Sequence, residues 1–338
     1  MFTILLSIFI LSGSCYLLFL ISDPLEEVGG KIGKALRLPD SVVASTFQAL
    51  ATSGPEIVMA IIVATPFIYG FPELELGEKA SSGTLNMAFS AMDNLLGIGA
   101  VAIIYMIYKK MVKKEDKIVI SNTTKLGLVT YILASLALSI SVWDGVLTYF
   151  EAVLLASFGV IFVLGQFLVP REKKISTEEK NDYKDLFKNL AIYSFLVFAL
   201  VVFVQQCLSA TFSLATLGIA SVGGILLAIT SYVSSFPEFM MAFRYVMKNK
   251  KDALLAMLFG SNIIDISFAG FRTLYTNEEM HVYTTGLYPE LLKYYVLALP
   301  ITAILLYFGF NKNKIRWGHS YYLVGFYLVY VISGFILL

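Results

Sequence analysis

Two stretches far apart in the chain carry nearly the same side chains: Thr52-Ser53-Gly54-Pro55-Glu56 and Ser234-Ser235-Phe236-Pro237-Glu238. Each lies inside a long apolar run. A carboxylate placed in hydrocarbon is expensive and marks a path for ions or substrate. Two such carboxylates, each beside a helix breaker, predict two facing halves around one cation site. Pro55 removes a backbone donor and opposes helix continuation behind it, and Gly54 is conformationally free. The helix is therefore expected to break near Thr52 and Ser53, freeing carbonyl oxygens that are hard ligands for Na⁺ or Ca²⁺. Ser53-x-x-Glu56 and Ser235-x-x-Glu238 also read as capping boxes with Pro in the first turn. Capping and ion binding would use the same broken turn.

Each motif is followed by a second polar pair. Ser90 and Asn94 are four residues apart, as are Ser261 and Asp265, which puts each pair on one helix face among apolar neighbours. Small polar residues can simply join helices. That explains the serines, but not an aspartate at membrane depth. Asp93 lies one residue off the Asn94 face and is either turned elsewhere or a secondary ligand. The constellation is then Glu56, Glu238 and Asp265 with Asn94, hydroxyls and freed carbonyls, and without His, Cys or Lys. An all-oxygen set with three carboxylates suits Ca²⁺ or Na⁺ and argues against zinc or copper. Competition of two ions for shared carboxylates is a basis for exchange. An intramembrane hydrolase using the two glutamates finds no Gly-x-Ser-x-Gly or His-Glu-x-x-His pattern. A passive channel would more commonly build its site from an oligomeric ring.

The elements that must position these groups follow from composition. Of the 338 residues, 58% are hydrophobic and 14% charged, with a net charge of +1; the mean hydropathy is +0.77. Soluble domains hold ~45–50% apolar residues, so this is an integral membrane protein, and nothing in its charge points to nucleic acid. Cys15 and Cys207 lie in or beside apolar runs and read as small core residues. A span needs ~20 apolar residues, and ten are expected, near 2–22, 41–69, 85–108, 126–142, 146–168, 189–207, 213–243, 253–271, 290–310 and 319–338. Only Trp143-Asp144-Gly145 separates the fourth from the fifth. The segments 23–40, 109–125, 170–188, 244–251 and 311–318 hold 22 of the 25 Lys and Arg. Basic loops face the cytoplasm, and the alternation places both termini outside. Spans one and six then cross in opposite directions. The expected fold is an all-α membrane protein of ten transmembrane helices in two inverted five-helix repeats, 1–169 and 189–338, joined by a solvated cytoplasmic linker at 170–188.

At these residues the chain resembles the cation/calcium exchanger superfamily, whose inverted repeats carry a Gly-Thr-Ser-x-Pro-Glu type motif followed by Gly-Ser-Asn-x-x-Asn or Asp. The matching stretches are Ala51 to Glu56, Val233 to Glu238, Phe89 to Asn94 and Gly260 to Asp265. The resemblance implies Glu56 and Glu238 as paired central ligands shared by Ca²⁺ and Na⁺. It implies Asn94 and Asp265 completing the middle of the site, and Thr52, Ser53, Ser90, Ser234, Ser235 and Ser261 supplying flanking oxygens, mainly for Na⁺. It further implies a monomer in membrane lipid, without a cofactor, exchanging Ca²⁺ for Na⁺ by alternating access, with H⁺-coupled and K⁺-dependent exchange as alternatives. Asp265, where some members carry Asn, is reminiscent of the potassium-dependent branch. Phe89 stands for the usual Gly, and Gly54 and Phe236 for a common Leu. Glu56 to Asn94 spans 38 positions against 27 from Glu238 to Asp265, and the extra stretch reads as a solvated outer loop carrying Glu73, Glu75 and Glu78.

Overall fold

The computed structural model describes residues 2–54, 56–57, 90–91, 93–94, 99, 120–168, 183–214, 235–276, 280–281 and 289–311. The expected third and tenth spans fall almost wholly outside these residues, as does the 170–188 linker apart from its last residues.

Helix α1 covers Phe2–Ala35, well past the expected end at residue 22, so the segment expected as a 23–40 loop shrinks to 36–39. The reason is a buried stripe that does not stop there. Leu18, Leu25 and Ile32 recur every seven residues, and Val28 joins them. They pack on Tyr193 and Leu200, again seven apart, from helix α6, Tyr183–Leu214. Packing of this seam outweighs the backbone bond lost at Pro24 inside the helix. The helix ends with Arg37 in the left-handed region at φ 56°. The Leu38 N–H reaches back to the Gly33 carbonyl at 2.8 Å and the Arg37 N–H to Lys34 at 3.0 Å, a Schellman cap.

The next run is helical but not uniform. It consists of α2 (Asp40–Val43), a wide π-type turn at Ala44–Gln48, and α3 (Ala49–Thr52). Helix α4 is Asn122–Ser141, started by Ser121, whose hydroxyl accepts the Thr124 N–H. Helix α5 is Tyr149–Leu168, opened by a reciprocal box in which Thr148 N–H donates to Glu151 Oε2 at 2.8 Å and Glu151 N–H donates to Thr148 Oγ1 at 3.4 Å. The turn at Trp143-Asp144-Gly145 does separate two helices, with Gly145 at φ 89°. Helix α7 is Phe236–Met247, α8 is Lys251–Thr276 and α9 is Pro289–Asn311. A short antiparallel pairing joins strand β1 (Val146–Leu147) to β2 (Met280–His281), with Val146 opposite His281.

Helix α8 is the hub. It packs on α5, α4, α7 and the α2–α3 run, and its span Lys251–Phe271 is 89% buried. Small residues allow this. A methyl group at Gly270 would meet the Ala152 carbonyl at 2.4 Å, and one at Gly260 would meet the Ser45 carbonyl at 2.2 Å. Such close backbone approach is the usual way helices associate in lipid. The main core gathers Leu128, Tyr131, Leu155, Phe162, Met241, Leu254 and Phe259. The α1–α6 seam forms a separate apolar cluster. Helix α6 is the opposite of α8: only 11% of its apolar window is buried, and Phe195 and Phe198 point outward. Among the described residues, four helices are long and apolar enough to cross a membrane: 122–141, 149–168, 185–203 and 251–271.

At the end of α7 the chain turns through Asn249 at φ 58°, with Lys250 N–H on the Tyr245 carbonyl at 2.9 Å and Asn249 N–H on Val246 at 3.1 Å. This repeats the Schellman cap of α1. The two caps adjoin a charge cluster. Glu26, buried on α1, pairs with Lys248 and with Lys250 at 3.1 Å; Lys250 also reaches Asp40 at 3.3 Å, and Arg244 reaches Asp23 at 3.6 Å.

Candidate cation site

The two repeated motifs adopt one backbone. Ser53 has φ −76° and ψ 0° where α3 ends, and Ser235 has φ −79° and ψ 1° where α7 begins. At Ser53 the helix is interrupted for a single residue. The Ser53 carbonyl still accepts Ile57 N–H at 3.0 Å, and the Ser235 carbonyl still accepts Phe239 N–H at 3.1 Å. The break is therefore narrower than a Pro beside a Gly suggests, and these two carbonyls are engaged rather than freed. Pro55 and Ser234 lie outside the described residues.

The serine hydroxyls are not used as caps. Ser235 makes no side-chain cap hydrogen bond, and both serines reach across the molecule. Ser90 donates to Glu56 Oε1 at 2.9 Å and shares a 2.7 Å hydrogen bond with Ser235. Ser261 donates to Glu238 Oε1 at 2.9 Å and shares a 2.6 Å hydrogen bond with Ser53. A hydroxyl has one proton to give, so the directions follow. Ser235 donates to Ser90, which donates to Glu56; Ser53 donates to Ser261, which donates to Glu238. Ser53 also stands 3.5 Å from Glu238 Oε1. The two relays mirror each other, and each takes its first serine from one repeated segment and its carboxylate from the other.

All of these groups are sealed from solvent. Thr52, Ser53, Glu56, Ser90, Asn94, Glu238, Ser261 and Asp265 are each 0% exposed, and Ser235 is 1% exposed. Glu56 lies within the field of both Glu238 and Asp265, and Asp265 lies beside Ser53. Thr52 turns its hydroxyl back to the Gln48 carbonyl at 3.0 Å and stands close enough to Glu238 to act on its charge. Asp93 is buried beside Asn94 in another π-type turn.

One oxygen of each glutamate is satisfied by its serine. Among the described residues, the others, Glu56 Oε2 and Glu238 Oε2, have no hydrogen-bond partner; nor do either oxygen of Asp265 or the amide head of Asn94. An unpaired buried polar atom costs ~1–3 kcal/mol, and a charged one more. Open acceptor oxygens on buried carboxylates are the kind of donor a hard cation takes. Among the described residues, no three Asp, Glu, His or Cys side chains stand close enough to hold a metal unaided.

Two buried groups near the site were not anticipated from sequence. Tyr131 on α4 and Asn262 on α8 both carry unpartnered polar heads. Tyr131 sits in an apolar helix with no repeated counterpart, so no pattern could flag it. Asn262 lies inside the Gly260 to Asp265 motif, three residues before Asp265, but the four-residue spacing of Ser261 and Asp265 does not pick it out.

The protein family described as sodium/calcium exchanger protein matches residues 6–168 and 189–335. No match is found among curated protein sequences. Solved structures of the sodium-calcium exchanger NCX_Mj have the same fold. The form soaked with 2.5 mM Na⁺ and 10 mM Sr²⁺ is 18% identical, with a TM-score of 0.74, covering 98% of this chain and 99% of that one. The form soaked with 10 mM Na⁺ and zero Ca²⁺ is 17% identical, with a TM-score of 0.75 and the same coverage. The form with zero Na⁺ and Ca²⁺ is 18% identical, with a TM-score of 0.71.

Proposed function

The chain belongs to the sodium/calcium exchanger protein family, and from that premise we propose that it is a secondary antiporter exchanging Ca²⁺ for Na⁺ at the site around Glu56 and Glu238. The observation that carries this reading is the mirrored pair of serine relays, each leaving one glutamate oxygen open at a depth closed to water. A cation is the partner those oxygens need. Asp265 and Asn94 complete the grip, and the hydroxyls of Thr52, Ser53, Ser90, Ser234, Ser235 and Ser261 serve Na⁺ when it displaces Ca²⁺. The family match over two segments supports two repeats; we read them as inverted five-helix halves with both termini outside.

Alternating access comes from the α1–α6 pair moving against the α8-centred framework. Its separate apolar seam supports this division. Exchange of unequal charge makes transport voltage-sensitive, because the membrane field acts with ~2.3 kcal/mol per charge per 100 mV. The test is ⁴⁵Ca²⁺ uptake into proteoliposomes under imposed Na⁺, K⁺ or pH gradients. Uptake driven by an outward Na⁺ gradient, and lost in Glu56→Gln and Glu238→Gln with expression intact, is expected. Uptake that runs on a pH gradient alone would reassign the coupling ion, and normal uptake in both variants would refute the site.

A further inference from the structure

Tyr131 belongs to α4, outside every repeated motif, yet it is 0% exposed. Its ring stacks on Phe259 of α8, with centroids 6.2 Å apart and planes 19° from parallel. Phe259, Asn262 and Asp265 follow each other at intervals of three along α8, so they form one strip of that helix. The Tyr131 hydroxyl faces the Asn262 amide and lies in the field of Asp265. The Tyr131 hydroxyl, both polar atoms of Asn262 and both oxygens of Asp265 are buried, and none has a hydrogen-bond partner among the described residues. Asp265 also lies beside Ser53 and in the field of Glu238. Its carboxylate therefore neighbours both the cation site and the Tyr131–Asn262 pair.

We propose that Tyr131 and Asn262 are positioning residues for Asp265, holding the carboxylate in the orientation in which it grips the transported cation. The inference rests on the exchange reading of this site. A carboxylate can only accept, whereas Asn262 offers two N–H donors and Tyr131 one O–H. The terminal torsion of an aspartate is broad, so an unsupported carboxylate swings. Ligating carboxylates are commonly fixed by hydrogen bonds from behind. The three heads do not bond directly, so a single bridging water, or closure when an ion arrives, joins them. Coulomb energy scales with ion charge, so a misdirected carboxylate costs a divalent ion twice what it costs a monovalent one. The effect falls on Ca²⁺ more than on Na⁺.

Tyr131→Phe tests this cleanly, because it keeps the ring stack and removes only the hydroxyl. The measurements are equilibrium ⁴⁵Ca²⁺ binding to the purified full chain and exchange in proteoliposomes. Half-saturating Ca²⁺ should rise about tenfold, with a smaller change for Na⁺ and an unchanged maximal rate and thermal midpoint. Asn262→Ala should move in the same direction, and Tyr131→Phe should add nothing to Asp265→Asn. A wild-type Ca²⁺ dependence in Tyr131→Phe, or a shift that adds to that of Asp265→Asn, overturns the inference while leaving the exchange reading intact. Wild-type protein that binds no ⁴⁵Ca²⁺ sinks the exchange reading, and this inference with it.

Discussion

Ser90 and Ser235, 145 positions apart in the chain, lie 2.7 Å from each other at their hydroxyl oxygens. Ser53 and Ser261 repeat the contact at 2.6 Å. Each pair stands directly behind a glutamate, so the two repeated segments interlock through the groups that hold the acids in place. Neither repeated segment completes its own relay.

Removing members of one relay should therefore not be additive. Ser90→Ala deletes the donor to a buried carboxylate oxygen and should cost ~1–3 kcal/mol. Ser235→Ala removes only a hydroxyl-to-hydroxyl bond and should cost about 0.5–1.5 kcal/mol. The double variant should cost less than the two together, because Ser235 has nothing left to donate to. Thermal unfolding in detergent measures all three, and the Ser53–Ser261 cycle should also be non-additive, with Ser53 left 3.5 Å from Glu238 Oε1 when Ser261 is removed. Simple additivity in both cycles would contradict the relay.

Gly260 tests the close approach of α8 to the π-type turn. A methyl group there meets Ser45 backbone atoms at 2.2 and 2.9 Å, which a side-chain rotation cannot relieve. Gly260→Ala should cost ~1–3 kcal/mol or more and weaken cation binding by displacing Ser261. Gly30→Ala, with open space around it, should stabilise α1 by about 0.5–1 kcal/mol. Equal effects at the two positions would argue against the packing.

The charge cluster at the ends of α1 and α7 predicts a pH dependence. Burial works to lower the Lys250 pKa, but Glu26 and Asp40 outweigh it and hold it above the ordinary 10.5. A raised lysine pKa stabilises the fold fully below the unfolded value and fades as pH climbs through the folded one. The stability gap between wild type and Lys250→Met should be flat up to pH 10.5 and shrink above it. A gap that widens with alkali would show that Lys250 is not held by these acids.

Both left-handed caps are occupied by residues other than glycine. Arg37 bears the larger strain, since Asn tolerates this conformation better. Arg37→Gly should relieve about 1 kcal/mol of backbone strain, set against the interactions its side chain makes, and Asn249→Gly should relieve less. Loss of stability at Arg37 would mean that its side chain does more than close the turn.

How legible this was depends on the kind of signal. The repeated Ser-x-Pro-Glu pattern located both glutamates because a carboxylate in an apolar run has few structural excuses. The four-residue spacing put Ser90 with Asn94, and Ser261 with Asp265, on shared faces for the same reason. The length of α1 was not legible, because Asp23, Pro24, Glu26 and Glu27 look like the start of a loop. Packing on α6 and the ion pairs of Asp23 and Glu26 accompany their helical conformation. The serines looked like caps because capping is a local pattern, while their real partners lie on other helices. Tyr131 gave no signal at all, since its importance comes from a neighbour on α8 rather than from its own surroundings in the chain.

Helix α6 turns most of its apolar surface outward, whereas α8 is enclosed on every side. In the proposed motion, the pair slides against the α8 framework on its inner side while the outer face of α6 moves through acyl chains. The friction on that motion is then set in part by the bilayer. Turnover should slow in stiffer, more viscous membranes even when both ions are saturating and every ligand is intact.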